Sequence, residues 1–411
     1  MSEGNQQPYV TKKGAAQHRL WKNPSPLSGI FDLELTERCN NDCIHCCLNL
    51  PGDDVRARSR ELSTPGIIAI LKEAAALGAL SVRFTGGEPL LRDDFTDLYL
   101  SARRLGLKVM LFTNARLITP DLASLFARIP PLEMIEVTVY GMRRESYEAV
   151  SRVPGSYEEF RRGVGLLLNK KVPFVVKGAV LPPNLKEMEE FETWAITLPA
   201  MDARPTYAMF FDLRGRRDSP VKNRLIRSLR VSPEDGVILL RRQGRAYLQE
   251  MRGFCGKFMG PPGDLLFSCG AGHGACVDAY GKLQPCLTLR HPEMVYDLHE
   301  GSLKEALTNF FPRLREETRA ANPDYLARCA RCFLKGLCEQ CPAKSWAEHG
   351  ALDTPVEYFC RVAHAQALDL GLLFPGERSW QVADWQERIM KFRGKSDTAE
   401  ERLIETIFAK I

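Results

Sequence analysis

Cys39, Cys43, Cys46 and Cys47 place four thiols within nine residues, in the stretch TERCNNDCIHCCLNL that follows the apolar run GIFDLEL. Disulfides are rare in the cytosol, and a tight cysteine cluster in an intracellular enzyme is more often a metal site. Cys39, Cys43 and Cys46 are spaced C-x3-C-x2-C. Three such thiolates can hold three irons of a four-iron cluster and leave one iron an open position for a substrate or cofactor. A structural zinc would need His45 or Cys47 as a fourth ligand, and geometry is against four ligands in so short a loop. Cys47 is read as non-ligating, because adjacent thiolates reach one cluster poorly. A second candidate is FTGGEPLL, Phe84 to Leu91. There Gly86 and Gly87 allow a backbone to approach a ligand, and Glu88 offers an acceptor for an ammonium group.

Nine more cysteines lie between residues 255 and 360, and none lies between 48 and 254. An odd count split into two groups fits metal ligation better than a disulfide framework. Cys269 and Cys286 bracket C-x11-G-x4-C. Cys329, Cys332, Cys338 and Cys341 follow as C-x2-C-x5-C-x2-C, with Cys360 alone beyond them. The central gap is short for a zinc ribbon, whereas seven thiols with an eighth nearby suit two four-iron clusters. His273 sits between possible ligands and could tune a cluster, although a solvated loop histidine is the plainer reading. No Gly-x-Ser-x-Gly, Walker-type loop or His-Glu-x-x-His motif occurs, which sets aside the commonest hydrolase and nucleotidase chemistries.

Alternating elements must position these residues. Strand-like runs at 81–85, 108–113, 134–140, 174–181 and 205–211 alternate with helix-like stretches. Several of the helices open on a capping Ser, Thr, Asp or Asn, with Pro65 and Pro120 in the first turn. With FDLELT as the first strand, six strand–helix units fall within residues 30–250, which predicts a parallel sheet and a partial (β/α)6 barrel. Ligands in such folds sit at the carboxyl ends of strands, where both motifs lie. The expected organisation is an N-terminal extension over 1–29, the barrel over 30–250, a cysteine-rich domain over 251–365 and a helical tail over 366–411.

The chain of 411 residues is 45% hydrophobic and 26% charged, an ordinary globular balance for two domains. Its net charge of +5 is weak support for nucleic-acid binding, so no nucleic-acid partner is expected. The locally basic segment 213–245 reads as solvated helix faces. No apolar run is long enough to span a membrane and the N-terminus lacks a signal-peptide core, which makes the cytoplasm the default location and a membrane partner unexpected.

The pair C-x3-C-x2-C and Gly-Gly-Glu-Pro resembles the signature of radical S-adenosylmethionine (SAM) enzymes over about residues 30–250. The resemblance implies that Cys39, Cys43 and Cys46 hold a 4Fe-4S cluster and that Gly86, Gly87, Glu88 and Pro89 line the methionine end of S-adenosylmethionine. Thr113, Asn114, Thr138 and Lys177 resemble positions that contact the ribose or carboxylate in relatives. Each could equally be a structural polar group, and for Lys177 a salt bridge is the competing role. Residues 255–362 resemble a SPASM domain, the auxiliary-cluster module of radical enzymes that modify peptides. That resemblance allots Cys329, Cys332, Cys338 and Cys360 to one auxiliary cluster. It allots Cys269, Cys286 and Cys341 to the other, with Cys276 or Cys255 as its fourth ligand or, failing both, an open iron that could bind the substrate directly. The spacing of Cys338 and Cys341 departs from the usual C-x3-C, which leaves the allocation of single ligands open.

The implied function is formation of a 5'-deoxyadenosyl radical and hydrogen abstraction from a peptide or protein side chain, in maturation of a ribosomal peptide. About thirty residues precede the first strand, so a separate leader-peptide recognition protein is expected. An external electron donor of the flavodoxin or ferredoxin type is expected too. The alternatives are a radical enzyme acting on a small molecule such as a tetrapyrrole, and a non-radical iron-sulfur electron carrier.

Overall fold

The computed structural model describes residues 27, 29–269, 271, 275–338 and 341–394. Most of the expected N-terminal extension, His273 and the end of the tail lie outside the described residues. Six parallel strands follow one another in chain order: β1 (Gly29–Thr36), β2 (Ala79–Gly86), β3 (Lys108–Thr113), β4 (Leu132–Val139), β5 (Val175–Ala179) and β6 (Tyr207–Ala208). Each is hydrogen-bonded to the next, with Leu33 beside Phe84, Phe84 beside Leu111 and Leu111 beside Ile135. These side chains are fully buried and make the central row of the core. The fold is the partial (β/α)6 barrel read from the strand–helix alternation.

Two of the expected helices open on side-chain caps, whereas those beginning near Asp94, Ser156 and Asn184 have no side-chain cap hydrogen bond. Ser63 accepts a hydrogen bond from the Gly66 N–H to open the helix Thr64–Ala76, and Thr119 accepts from Leu122 to open Pro120–Arg128. In both, proline occupies the first turn, where its missing N–H costs no helical bond. The sixth strand is shorter than its apolar run suggests. Only Tyr207 and Ala208 pair with β5, and beyond them Met209 and Phe211 turn into two separate small cores.

The cysteine-rich region begins differently from its loop-like composition. A helix, Arg245–Phe258, runs through the compositional change. Three short strands, β7 (Cys276–Val277), β8 (Lys282–Gln284) and β9 (Tyr296–Asp297), then extend the barrel sheet, because β7 pairs in parallel with β1. The full order is β9-β8-β7-β1-β2-β3-β4-β5-β6. The tail helices Glu357–Asp369 and Trp385–Gly394 share a second core with Arg245–Phe258, built on Tyr247, Phe333, Leu337, Ala363 and Phe392.

Two glycines set the distance between β1 and β2 at their carboxyl ends. The Gly87 N–H donates to Thr36 O at 2.7 Å and the Glu88 N–H to Arg38 O at 2.9 Å. A Cβ on Gly86 would lie 2.1 Å from Thr36 O, and one on Gly87 would lie 2.1 Å from Arg38 O. Gly86 also has a φ of 121°, which side-chain-bearing residues rarely adopt. The close approach that requires these glycines is therefore to the backbone just before Cys39. Gly87→Ala should destabilise the chain by about 1–3 kcal/mol through overpacking and lower its iron content after reconstitution. Gly165→Ala, inside the helix Ser156–Asn169 with nothing near its Cβ position, should stabilise it by about 0.5–1 kcal/mol. Thermal unfolding and iron analysis of the two variants check this.

Candidate active site

The carboxyl ends of β1 to β5 surround one cleft of roughly 590 Å³, lined by Cys39, Cys43, Cys46, Gly86, Gly87, Glu88, Thr113, Asn114, Thr138 and Lys177. The three spaced cysteines and all the proposed cofactor contacts except Pro89 thus come together. Pro89 is buried in the short 3-10 turn directly behind Glu88. Cys47 is exposed and is not among the residues that line the cleft.

The cysteine loop is held by backbone donors and a buried arginine. The Asn41 N–H donates to Cys39 Sγ at 3.4 Å and the Asn49 N–H to Cys46 Sγ at 3.3 Å. Arg116, absent from the sequence-based candidates, is pinned by Glu159 at 2.8 Å. It donates to the Asn40 carbonyl and, at 2.5 Å, to Asn41 Oδ1. Its only sequence signal is its place two residues after Asn114. Lys222 donates to the Cys43 carbonyl at 2.7 Å.

The electrostatics ask for a cation among these thiols. Burial, with the neighbouring Cys46, pushes Cys43 up to about 12. Desolvation, with Glu88 and Cys43, raises Cys39 well above the usual thiol range. Backbone N–H groups aimed at the sulfurs favour thiolates, and mutual repulsion opposes them until positive charge is supplied. Among the described residues no three His, Cys, Asp or Glu side chains gather closely enough to hold a single ion. Cys39, Cys43 and Cys46 line one cleft, with backbone N–H groups on two of the sulfurs, a donor set that would suit a four-iron cluster. His45 packs its ring on Tyr140 and Phe211, and burial lowers it to about 4, so it remains neutral.

Glu88 is almost wholly enclosed and already engaged. Its Oε1 accepts from Thr113 Oγ1 at 2.8 Å and the Leu90 N–H at 3.1 Å, while Oε2 accepts from the Asn114 N–H at 2.8 Å. It ties the end of β2 to the end of β3, which leaves one site on Oε2, an acceptor for a ligand when the carboxyl is ionised. Asn114 is engaged as well, donating from Nδ2 to Asn40 Oδ1 at 2.8 Å. Lys177 pairs with Glu136 and lies 3.8 Å above the Phe112 ring while lining the cleft, so the salt bridge weighed for it exists.

The later cysteines form two groups. Cys329, Cys332, Cys338 and Cys360 line a second cavity, and the charges of the other three raise Cys338 further, after burial. Cys341 is pushed up to about 12 by burial, with Cys286 and Cys269 adding to it, and Cys286 in turn acts on Cys276. Cys341 also reaches the edge of the second cavity. Cys255 sits in the apolar core of the tail helices, raised by burial alone. Of the two thiols open to complete the second group, Cys276 is the one near it.

The halves are joined by a buried ionic network. Arg290 bonds Glu34 of β1 and reaches Glu37 at 3.4 Å. Arg216 bonds Glu37 at 2.6 Å and Asp278 at 2.9 Å. Nothing in the spacing of these residues marks them as partners.

A parallel partial barrel with three spaced cysteines and a glycine-rich strand end at its mouth is the arrangement that the resemblance to radical SAM enzymes implies. Residues 33–195 match the Radical SAM superfamily and are a radical SAM domain, whose cofactors are S-adenosylmethionine and a 4Fe-4S cluster. The chain is 27% identical to the AdoMet-dependent heme synthase of Methanosarcina barkeri over 77% of this chain and 92% of that protein. It is 29% identical to the PqqA peptide cyclase of Gluconobacter oxydans over 43% of this chain and 48% of that one. In fold it is similar to Streptococcus suis SuiB bound to S-adenosylmethionine (TM-score 0.58, 16% identity, 82% of this chain and 77% of that chain). It is also similar to anSMEcpe with bound AdoMet (TM-score 0.56, 14% identity, 92% and 98%).

Burial lifts the Glu88 carboxyl to about 7 from its ordinary 4.5. The folded chain therefore keeps a proton that the unfolded chain releases, and this group's contribution to stability declines as pH rises from about 4.5 to 7. Glu88→Gln lacks that slope and turns an NH2 toward a backbone N–H, at a cost of about 1–3 kcal/mol. Thermal unfolding should show the variant less stable at pH 5 and the gap to wild type narrowing by pH 7.

Proposed function

We propose that the chain is a radical SAM enzyme that modifies a peptide or protein side chain, with two auxiliary iron-sulfur clusters assisting an oxidation or a crosslink. The observation that carries this reading is the pair of additional cysteine groups on a region whose sheet is continuous with the barrel. Cys39, Cys43 and Cys46 would hold the cluster in the barrel. Cys329, Cys332, Cys338 and Cys360 would hold one auxiliary cluster, and Cys269, Cys276, Cys286 and Cys341 the other. With S-adenosylmethionine bound, the barrel cluster supplies reductive cleavage to methionine and a 5'-deoxyadenosyl radical. Gly86, Gly87 and the free Oε2 position of Glu88 would orient the methionine end, with Thr138 and Lys177 facing it across the cleft. The buried walls of the cleft would keep water from the reacting centre.

The domain limits at residues 30, 251 and 366 belong to the same proposal, although the sheet and two helices run across them. So do a separate leader-peptide recognition protein, a flavodoxin- or ferredoxin-type donor and a cytoplasmic setting. Among the described residues no helix is long and apolar enough to cross a membrane. A peptide is supported by the likeness to PqqA peptide cyclase and by the fold shared with SuiB bound to its precursor peptide SuiA (TM-score 0.57). A second reading, action on a tetrapyrrole, is favoured by the relation to the heme synthase along 92% of that protein.

Anaerobically reconstituted wild type should hold about twelve irons per chain and release 5'-deoxyadenosine, and the variant with Cys39, Cys43 and Cys46 all changed to Ala should keep about eight and release none. Zinc in place of iron, or equal cleavage by that variant, would sink the radical mechanism. Deuterium passing into 5'-deoxyadenosine from a labelled tetrapyrrole, and not from a labelled peptide, would decide for the second reading.

A further inference from the structure

Ser379 lies in the tail, beyond the last cysteine, yet its hydroxyl sits 3.0 Å from Cys332 Sγ. On the other side of that oxygen is His364 Nε2, also at 3.0 Å, and His364 Nδ1 lies 2.8 Å from the Cys360 carbonyl. Cys332, Ser379, His364 and Cys360 thus form one polar chain beside the cavity that Cys329, Cys332, Cys338 and Cys360 line.

The rest of the tail holds the hydroxyl in place. Glu377 accepts from Arg388 Nη2 and from the Phe374 N–H, both at 2.8 Å, and the Gln381 N–H donates to the Arg378 carbonyl at 2.8 Å, so the turn is closed on both sides of Ser379. The next residue, Trp380, lines the cavity and meets the His364 ring edge-on, with centroids 5.9 Å apart. Ser379 is only 1% exposed, which leaves its hydroxyl to bond with protein neighbours. It has a single proton to give.

A sulfur bound to iron has no proton of its own and carries part of the cluster's negative charge, so it can only accept. Hydrogen bonds to such sulfurs are among the factors that set a cluster's potential. Reduction adds one negative charge, and a donor therefore stabilises the reduced state more than the oxidised one.

We propose that Ser379 gives its proton to Cys332 Sγ and raises the reduction potential of the cluster held by Cys329, Cys332, Cys338 and Cys360. The inference rests on the reading of those four cysteines as cluster ligands. It makes Ser379 a positioning residue of the tail that acts through Cys332, and it sets the cluster to take up an electron, as an oxidation of the substrate requires. Arg328, with Nη2 3.8 Å from Cys360 Sγ, adds positive charge near a second ligand.

The test is a redox titration of the reconstituted full chain followed by electron paramagnetic resonance, comparing wild type, Ser379→Ala and Ser379→Thr after iron analysis of each. In Ser379→Ala one couple should move down while the others stay in place. Its equilibrium constant for reduction should fall about tenfold, equivalent to about 59 mV for one electron. Ser379→Thr keeps the hydroxyl and should restore the couple. A couple that is unchanged or raised in Ser379→Ala would overturn the proposal, because the proton then rests on His364. A shift of all couples together would overturn it as well, being the mark of a disturbed fold. If Ser379→Ala loses iron, Ser379→Thr and Ser379→Val, alike in shape, decide: a lower couple in Ser379→Val alone supports the hydrogen bond, and any other result overturns it. Wild type without iron at these cysteines would overturn the cluster reading instead, and the iron count tells that failure from the other.

Discussion

Everything at the barrel mouth depends on one close contact, the backbone of Gly86 and Gly87 lying directly on the carbonyls of Thr36 and Arg38. It brings the end of β2 against the residues that launch the cysteine loop, leaving no room for a Cβ. From there Glu88 reaches across to Thr113 and Asn114, and Asn114 reaches back to Asn40. The cysteine loop, the glycine motif and the third strand end are thus one hydrogen-bonded unit. A site that must orient a cofactor gains precision when its walls are fixed by backbone contacts rather than by long side chains.

The strand–helix alternation and the two cysteine groups were legible because each rests on a local pattern. Apolar runs of strand length, capped helix starts and fixed cysteine spacings are properties of neighbouring residues. What was not legible depends on residues far apart. Arg116 carries no motif and matters only because the fold lays it under Asn40 and Asn41. Composition around residue 253 reads as loop, yet it conceals a helix whose apolar face is completed by segments more distant in the chain. The glycines were read as letting a backbone approach a ligand, and the close neighbours they have are the backbone carbonyls of Thr36 and Arg38. Thr113 and Asn114 lie on the cleft as expected, with their polar atoms largely committed to Glu88 and Asn40.

The second half of the molecule is bound to the first by more than a linker. Arg290 and Arg216 sit among Glu34, Glu37 and Asp278, charges that are costly to bury singly and tolerable only together. Removing one partner would strand the rest, so the network works as a lock on relative position. It lies between the loop of Cys39 and the strand that carries Cys276, and it therefore holds the barrel cysteines and the later ones in a constant relation. Cys255, the other thiol weighed for that later group, is packed among the helices of the second core.

The pairing of β7 with β1 also bears on how the chain is made. During synthesis β1 emerges well before β7, and the edge that β7 covers has no partner until the segment around Cys276 has been translated. An unpaired, largely apolar strand edge is a template for pairing with another chain, and contacts this distant in sequence form late. The nascent barrel therefore passes through a period in which its first strand is half-finished and prone to aggregate. Overproduction of a barrel cut before Cys276 would keep the chain in that state, whereas a chain that includes β7 closes this edge itself.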